Sequence, residues 1–149
     1  MRRQAREAAL QILYRLDLNP GNPDVVLGEF RESNGMEADV RSFAERLVRG
    51  VRENMESLDR LISGYARNWE LHRMSAVDRN VMRMALYEML KCPDVPPVVS
   101  INEAVDIAKY FGTAESGKFV NGILDRAGKD LKRPGREALP LEGAGGSTE

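Results

Sequence analysis

The chain has 149 residues, 42% of them hydrophobic and 30% charged, with a formal net charge of -1. This balance suits one folded domain with a sizeable core. It excludes a chain held to nucleic acid by a global basic field, so any such surface must be a local patch. One Cys and one His exclude a zinc site of the usual type, so neither metal nor cofactor is expected. No apolar run or signal peptide marks a membrane or export route, and the lone Cys92 fits a reducing cytoplasm.

Helical periodicity runs through most of the sequence. In "RRQAREAALQILYRLDL", Ala5, Ala9, Ile12, Leu13 and Leu16 recur at three- and four-residue steps, which predicts a helix with one buried face. Arg3, Arg6, Leu10 and Tyr14 make a ridge beside that face, with Arg2 at its border. Three arginines and no acid at a helix start oppose the helix dipole. Guanidinium groups suit phosphates, and Tyr14 offers a stacking surface to an unpaired base. The same residues also read as a solvated basic helix start.

"NPGNP" at 19–23 ends this helix, and a short one is expected over 24–32 before an "SNG" turn. From Asp39 to about Tyr65 the apolar positions keep the helical period, with a division expected at Gly50 or near Asn54. Ser75 and Asp78 form a weakened capping box ahead of a helix over 76–91. Its methionines at 82, 84 and 89 read as core. "CPDVPPVVS" reads as extended because of its prolines. Ser100 and Glu103 then form an S-x-x-E capping box for a helix over 101–111, closed by Gly112. A last helix is expected over 116–132. Residues 134–149 show almost no apolar periodicity and read as a disordered tail after a domain spanning 1–133.

"GTAESGKF" at 112–119 has the spacing of a phosphate-binding loop, but Phe119 stands where magnesium needs a hydroxyl. The segment also follows a helix rather than a strand, so it is a helix-loop-helix junction. No catalytic constellation appears. His72 reads as exposed or capping, and Cys92 as an inert thiol whose neighbours Lys91 and Pro93 lower its pKa slightly. From Lys118 to Arg133, Lys118, Arg126, Lys129, Lys132 and Arg133 outnumber Asp125 and Asp130. Phe111 and Phe119 flank the loop. Lys118 beside an aromatic suits single-stranded nucleic acid, while Phe119 equally reads as core with Val120, Ile123 and Leu124.

The segments "RRQAREAALQILYRLDL", "MRMALYEML", "DVPPVVSINEAVDIAKYFGT" and "SGKFVNGILDR" together resemble the NusB family of bacterial transcription antitermination factors, in register from Arg2 to about Leu131. The resemblance implies an all-α bundle of about seven helices in two packed helical subdomains. It implies a non-enzymatic protein that binds boxA, a single-stranded RNA element of ribosomal RNA leader transcripts. The implied partner is the ribosomal protein NusE, within an RNA polymerase antitermination complex, and homodimers are a further possibility in the family. On this resemblance the RNA-binding residues are Arg2, Arg3, Arg6, Tyr14, Phe111, Lys118 and Phe119, with Gln4 replacing a basic residue of some relatives. Asp78 matches an acidic position on the face that meets NusE, and Glu115 an acidic loop position with no role assigned. The same helical domain resembles the N-terminal module of ribosomal RNA cytosine methyltransferases, but the chain lacks a nucleotide-cofactor motif and room for a catalytic domain.

Overall fold

The apolar spacing of the first seventeen helical residues is realised as α1, Arg2–Leu18, which buries Ala5, Ala9, Ile12, Leu13 and Leu16. The computed structural model describes residues 2–33, 35–67 and 70–131. The tail expected over 134–149, together with Lys132 and Arg133, lies outside them. After α1 come α2 (Pro23–Ser33), α3 (Ala38–Glu53), α4 (Met55–Tyr65), α5 (Ala76–Lys91), α6 (Pro97–Phe111) and α7 (Ala114–Leu131), with a 3-10 turn at Leu71–Arg73. Among the described residues the chain is all-α, and no helix is long and apolar enough to cross a membrane.

Local chemistry sets most helix boundaries. Pro23 opens α2, where its missing N–H costs nothing, and Asn22 Oδ1 accepts from the Asp24 N–H at 2.9 Å. The division after Asp39 falls at Asn54, whose side chain donates to the Gly50 carbonyl at 2.7 Å. Gly50 instead lies inside α3, where a Cβ would run into the Tyr87 ring of α5. Ser75 caps α5 as its spacing suggests, accepting from the Asp78 N–H at 3.0 Å.

The segment expected to be extended after Cys92 is corrected in part. Helix α6 already starts at Pro97, so Ser100 and Glu103 lie within the helix and are not its capping box. Proline at the first helical position is compatible with this start, which the sequence reading placed four residues late. The real capping box opens α7, where Thr113 Oγ1 accepts from the Ser116 N–H (3.2 Å) and Ser116 Oγ from the Thr113 N–H (3.1 Å). Gly112 ends α6 without left-handed backbone. Its reason is space, since a Cβ there would sit 2.5 Å from Ser116 Oγ.

Helix α5 is the central element. It packs against α1, α3, α4, α6 and α7, and ten of its sixteen residues are buried. Val81, Met82, Met84, Leu86 and Met89 are among them, as the helical spacing implied. Helix α1 runs antiparallel to α5: Arg6 near its start meets Glu88, and Asp17 near its end meets Arg79 and Arg83. Arg83 also grips Asp59 of α4 through Nε (2.7 Å) and Nη2 (3.0 Å). This half-buried set of charges fixes α1, α4 and α5 in one register.

Candidate nucleic-acid interface

The arginines at the start of α1 have unequal access to solvent. Arg2 stands over the Phe43 ring, 4.2 Å from its centroid, and pairs with the exposed Asp94 at 3.2 Å. Arg3 reaches Glu103 through Nε (2.6 Å) and Nη2 (3.0 Å), and Asp106 at 3.0 Å. These contacts raise the Arg3 pKa and hold the Glu103 carboxyl below the usual carboxylate range. The Arg2 and Arg3 side chains keep over a third of their surface in water.

Arg6 is different. Only 4% of it is exposed, and its Nε and Nη2 donate to the two oxygens of the buried Glu88 at 2.7 and 2.8 Å. Ser100 Oγ donates to the same carboxylate at 2.9 Å. Burial opposes the Arg6 charge, but the hydrogen bonds and attraction of Glu88 outweigh it and raise its pKa. Leu10 is also buried. The ridge expected from Arg3 through Arg6 and Leu10 to Tyr14 therefore does not form, because the packing of α5 and α6 covers its middle. Tyr14 stays 40% exposed and Arg3 partly so, but Arg6 faces inward.

At the other end of α5, residues distant in sequence converge on a groove of about 530 Å³. Its walls include Arg73, Ser75, Asp78, Glu115, Lys118 and Phe119. Lys118 is exposed, and Phe119 is half-buried against the core, so it is part core and part groove wall. Asp78 is 9% exposed, and its Oδ1 has no hydrogen-bond partner among the described residues. An unpaired buried acceptor is costly and uncommon, and its presence on a groove wall calls for an explanation. Asp78 was expected on a protein-binding face of α5. No residue of α5 is exposed, so any partner there meets the helix at its start and flanks.

Sequence spacing pointed neither to Arg73, which lines this groove, nor to the exposed ring of Tyr110 on α6. Tyr110 is 79% exposed and stands edge-on to Phe111, with ring centroids 4.9 Å apart. Phe111 was expected to face RNA, but it is half-buried against the core. The signal was available: Phe111 follows the buried Ile107 by four residues, so the position before it points outward. Cys92 is fully buried, and burial pushes its thiol up, opposite to the small lowering expected from its neighbours. His72 is exposed beside Glu70, 3.2 Å away. Among the described residues no group of His, Cys, Asp and Glu is arranged to hold a metal ion.

Comparison with known proteins adds a consistent picture. The family model for the NusB family matches residues 3–129. A transcription antitermination protein NusB of Desulfatibacillum aliphaticivorans is 53% identical over 124 residues, covering 83% of this chain and 87% of the relative. That of Myxococcus xanthus is 44% identical and covers 89% of this chain and 98% of its own length. The solved structure of T. maritima NusB matches with a TM-score of 0.81 at 42% identity, over 87% of this chain and 92% of that one. A crystal structure of the antitermination factors NusB and NusE in complex with dsRNA contains a chain that matches at 30% identity. Its TM-score is 0.79, over 87% of this chain and 96% of that one.

Proposed function

The chain belongs to the NusB family, and from that membership we propose that it is a non-catalytic adaptor that binds boxA single-stranded RNA of ribosomal RNA leaders together with NusE, within an RNA polymerase antitermination complex. The observation that carries the RNA part is the groove beside Phe119. It combines an exposed cation, Lys118, with an aromatic edge, Phe119, and the unpaired buried acceptor Asp78 Oδ1.

Those three groups match three parts of a nucleotide. Lys118 suits a phosphate, the Phe119 ring suits the face of an unstacked base, and Asp78 suits a base N–H. A carboxylate accepts but never donates when ionised, so it favours bases with an amino or imino hydrogen at that edge. Arg2, Arg3 and Tyr14 extend the surface along α1. Arg6 serves it from beneath by holding α1 on Glu88. Support for a NusE partner comes from the matched NusB–NusE–dsRNA crystal structure.

The test is fluorescence anisotropy with boxA RNA and a scrambled RNA of equal composition, with and without NusE. The boxA RNA is expected to bind more tightly, and NusE to increase the difference. Phe119→Ala should cost on the order of 1–3 kcal/mol of RNA binding, with a melting curve to separate this from lost packing. Asp78→Asn should reduce the preference for boxA while leaving the melting temperature unchanged or higher, because an unpaired buried carboxylate disappears. Equal binding of both RNAs with NusE present would sink the boxA reading.

A further inference from the structure

Phe119 is a wall shared by two grooves. Behind the one described above lies a second, of about 250 Å³, bounded by Ala66, Arg67, Lys118, Gly122, Ile123 and Arg126, with Phe119 between. Lys118 and Phe119 line both. The two grooves therefore adjoin, with Lys118 and the Phe119 side chain as their common wall.

The charges of the second groove differ from those of α1. Arg2, Arg3 and Arg6 are each held by carboxylates. Among the described residues no carboxylate pairs with Arg67, Lys118 or Arg126; Arg126 gives Nη1 to the Tyr65 carbonyl at 2.7 Å. The nearby acids have other partners: Asp125 pairs with Lys129 at 3.4 Å, and Asp130 accepts from the Tyr65 hydroxyl at 2.6 Å. Three cations thus border a floor of Ala66, Gly122 and Ile123, with no carboxylate paired to them among the described residues. Such an arrangement suits a polyanion whose charges are regularly spaced.

Gly122 is a second, independent observation. It lies inside α7, where glycine costs roughly 1 kcal/mol relative to alanine. Its backbone is not left-handed, and among the described residues a Cβ there would meet nothing within 4 Å. Packing among the described residues does not require glycine at this position. Its effect is to keep the groove open and let a ligand approach the helix backbone.

We propose that this second groove is a phosphate-binding extension of the RNA path, resting on the RNA reading above. A single strand stacked at Phe119 continues past the ring, and Arg67 and Arg126, with Lys118 at the junction, take its next phosphates. The floor accepts any sugar and base, so the extension adds affinity and salt dependence without adding sequence preference.

The test uses the full chain with NusE and three RNAs: boxA alone, boxA with six uridines added at the 5′ end, and boxA with six added at the 3′ end. One extended RNA is expected to bind several-fold more tightly than boxA alone, with a salt slope steeper by about 1.4 for two added phosphate contacts. Arg67→Glu should abolish that gain. Gly122→Leu should abolish it too while raising the melting temperature, so that loss of fold cannot account for the result. Neither variant should alter binding of unextended boxA RNA. Extended RNAs that bind no better than boxA alone, or variants that keep the gain, overturn the extension, as does an equal loss on all three RNAs. Failure of the wild-type chain to bind unextended boxA RNA is a different result and removes the underlying RNA reading.

Discussion

Arg3 and Arg6 lie one helical turn apart on α1, and their surroundings give them separate duties. The Arg6–Glu88 pair has lost almost all contact with water, at a desolvation cost of several kcal/mol per ion that its mutual attraction must offset. Such a pair is poor evidence for stability but good evidence for register, since only one placement of α1 on α5 lets the two charges meet. Arg6→Ala should destabilise the fold by roughly 3–5 kcal/mol, because Glu88 is left buried and charged. An Arg6→Met/Glu88→Leu double variant should recover most of that loss and, in chemical denaturation, melt near the wild type. Its RNA affinity should also stay near the wild-type value if Arg6 only positions the helix. Arg3→Ala, by contrast, should lower the salt slope of RNA binding by about 0.7 with little effect on stability. An RNA defect in the refolded double variant as large as that of Arg3→Ala would restore Arg6 to the RNA surface.

At the scale of elements, α3 and α5 meet at one glycine. Gly50 is a helix-interior residue, and propensity alone says that alanine should stabilise it by about 1 kcal/mol. The Tyr87 ring occupies the space a Cβ would need. Gly50→Ala is therefore expected to destabilise the protein by about 1–3 kcal/mol through overpacking. In a Tyr87→Ala background the sign should reverse, and a double-mutant cycle would read the coupling directly. A Gly50→Ala variant that is more stable in the wild-type background would show that the ring moves aside freely. The same packing gives Gly50 its role as a contact point rather than the helix break its composition suggested.

For the whole molecule, Asp17 joins the ends of α1 and α5 to α4 through the arginines it shares. Burial works against its ionisation, but hydrogen bonds from Arg79 and Asn80 and the charges of Arg83 and Arg79 prevail, so its carboxyl titrates below the usual range. A depressed folded pKa means that the unfolded chain takes up a proton first as pH falls. The Asp17 contribution is then complete above about pH 4, the ordinary carboxylate value, and is lost as pH drops through the lower folded value. Asp17→Asn should cost roughly 3 kcal/mol at pH 7, where it takes the carboxylate partner from half-buried Arg79 and leaves Arg83 with Asp59 alone. The gap between variant and wild type should narrow only below about pH 4 in urea melts. A gap that is constant down to pH 2 would show that Asp17 is not the titrating group.

The number and order of the helices were legible in the sequence because amphipathic spacing and caps are local: Ala5 to Leu16, the Ser75 cap and the break at Asn54 all act within a few residues of themselves. The first turn of α6 was not, because a run of prolines reads as extended until Pro97 is known to occupy the first helical position. Family membership was equally legible, since motif spacing is a property of the chain. The fate of individual site residues depended on neighbours far along it. Arg6 and Glu88 are 82 positions apart, and nothing local to either announces a buried pair. Likewise Asp78, Lys118 and Phe119 share a groove only because α7 folds back beside the start of α5. Sequence by itself determined which residue types were present and which helices carried them; tertiary packing decided which charges remained in water, because desolvation is set by whatever else the chain brings to the same place.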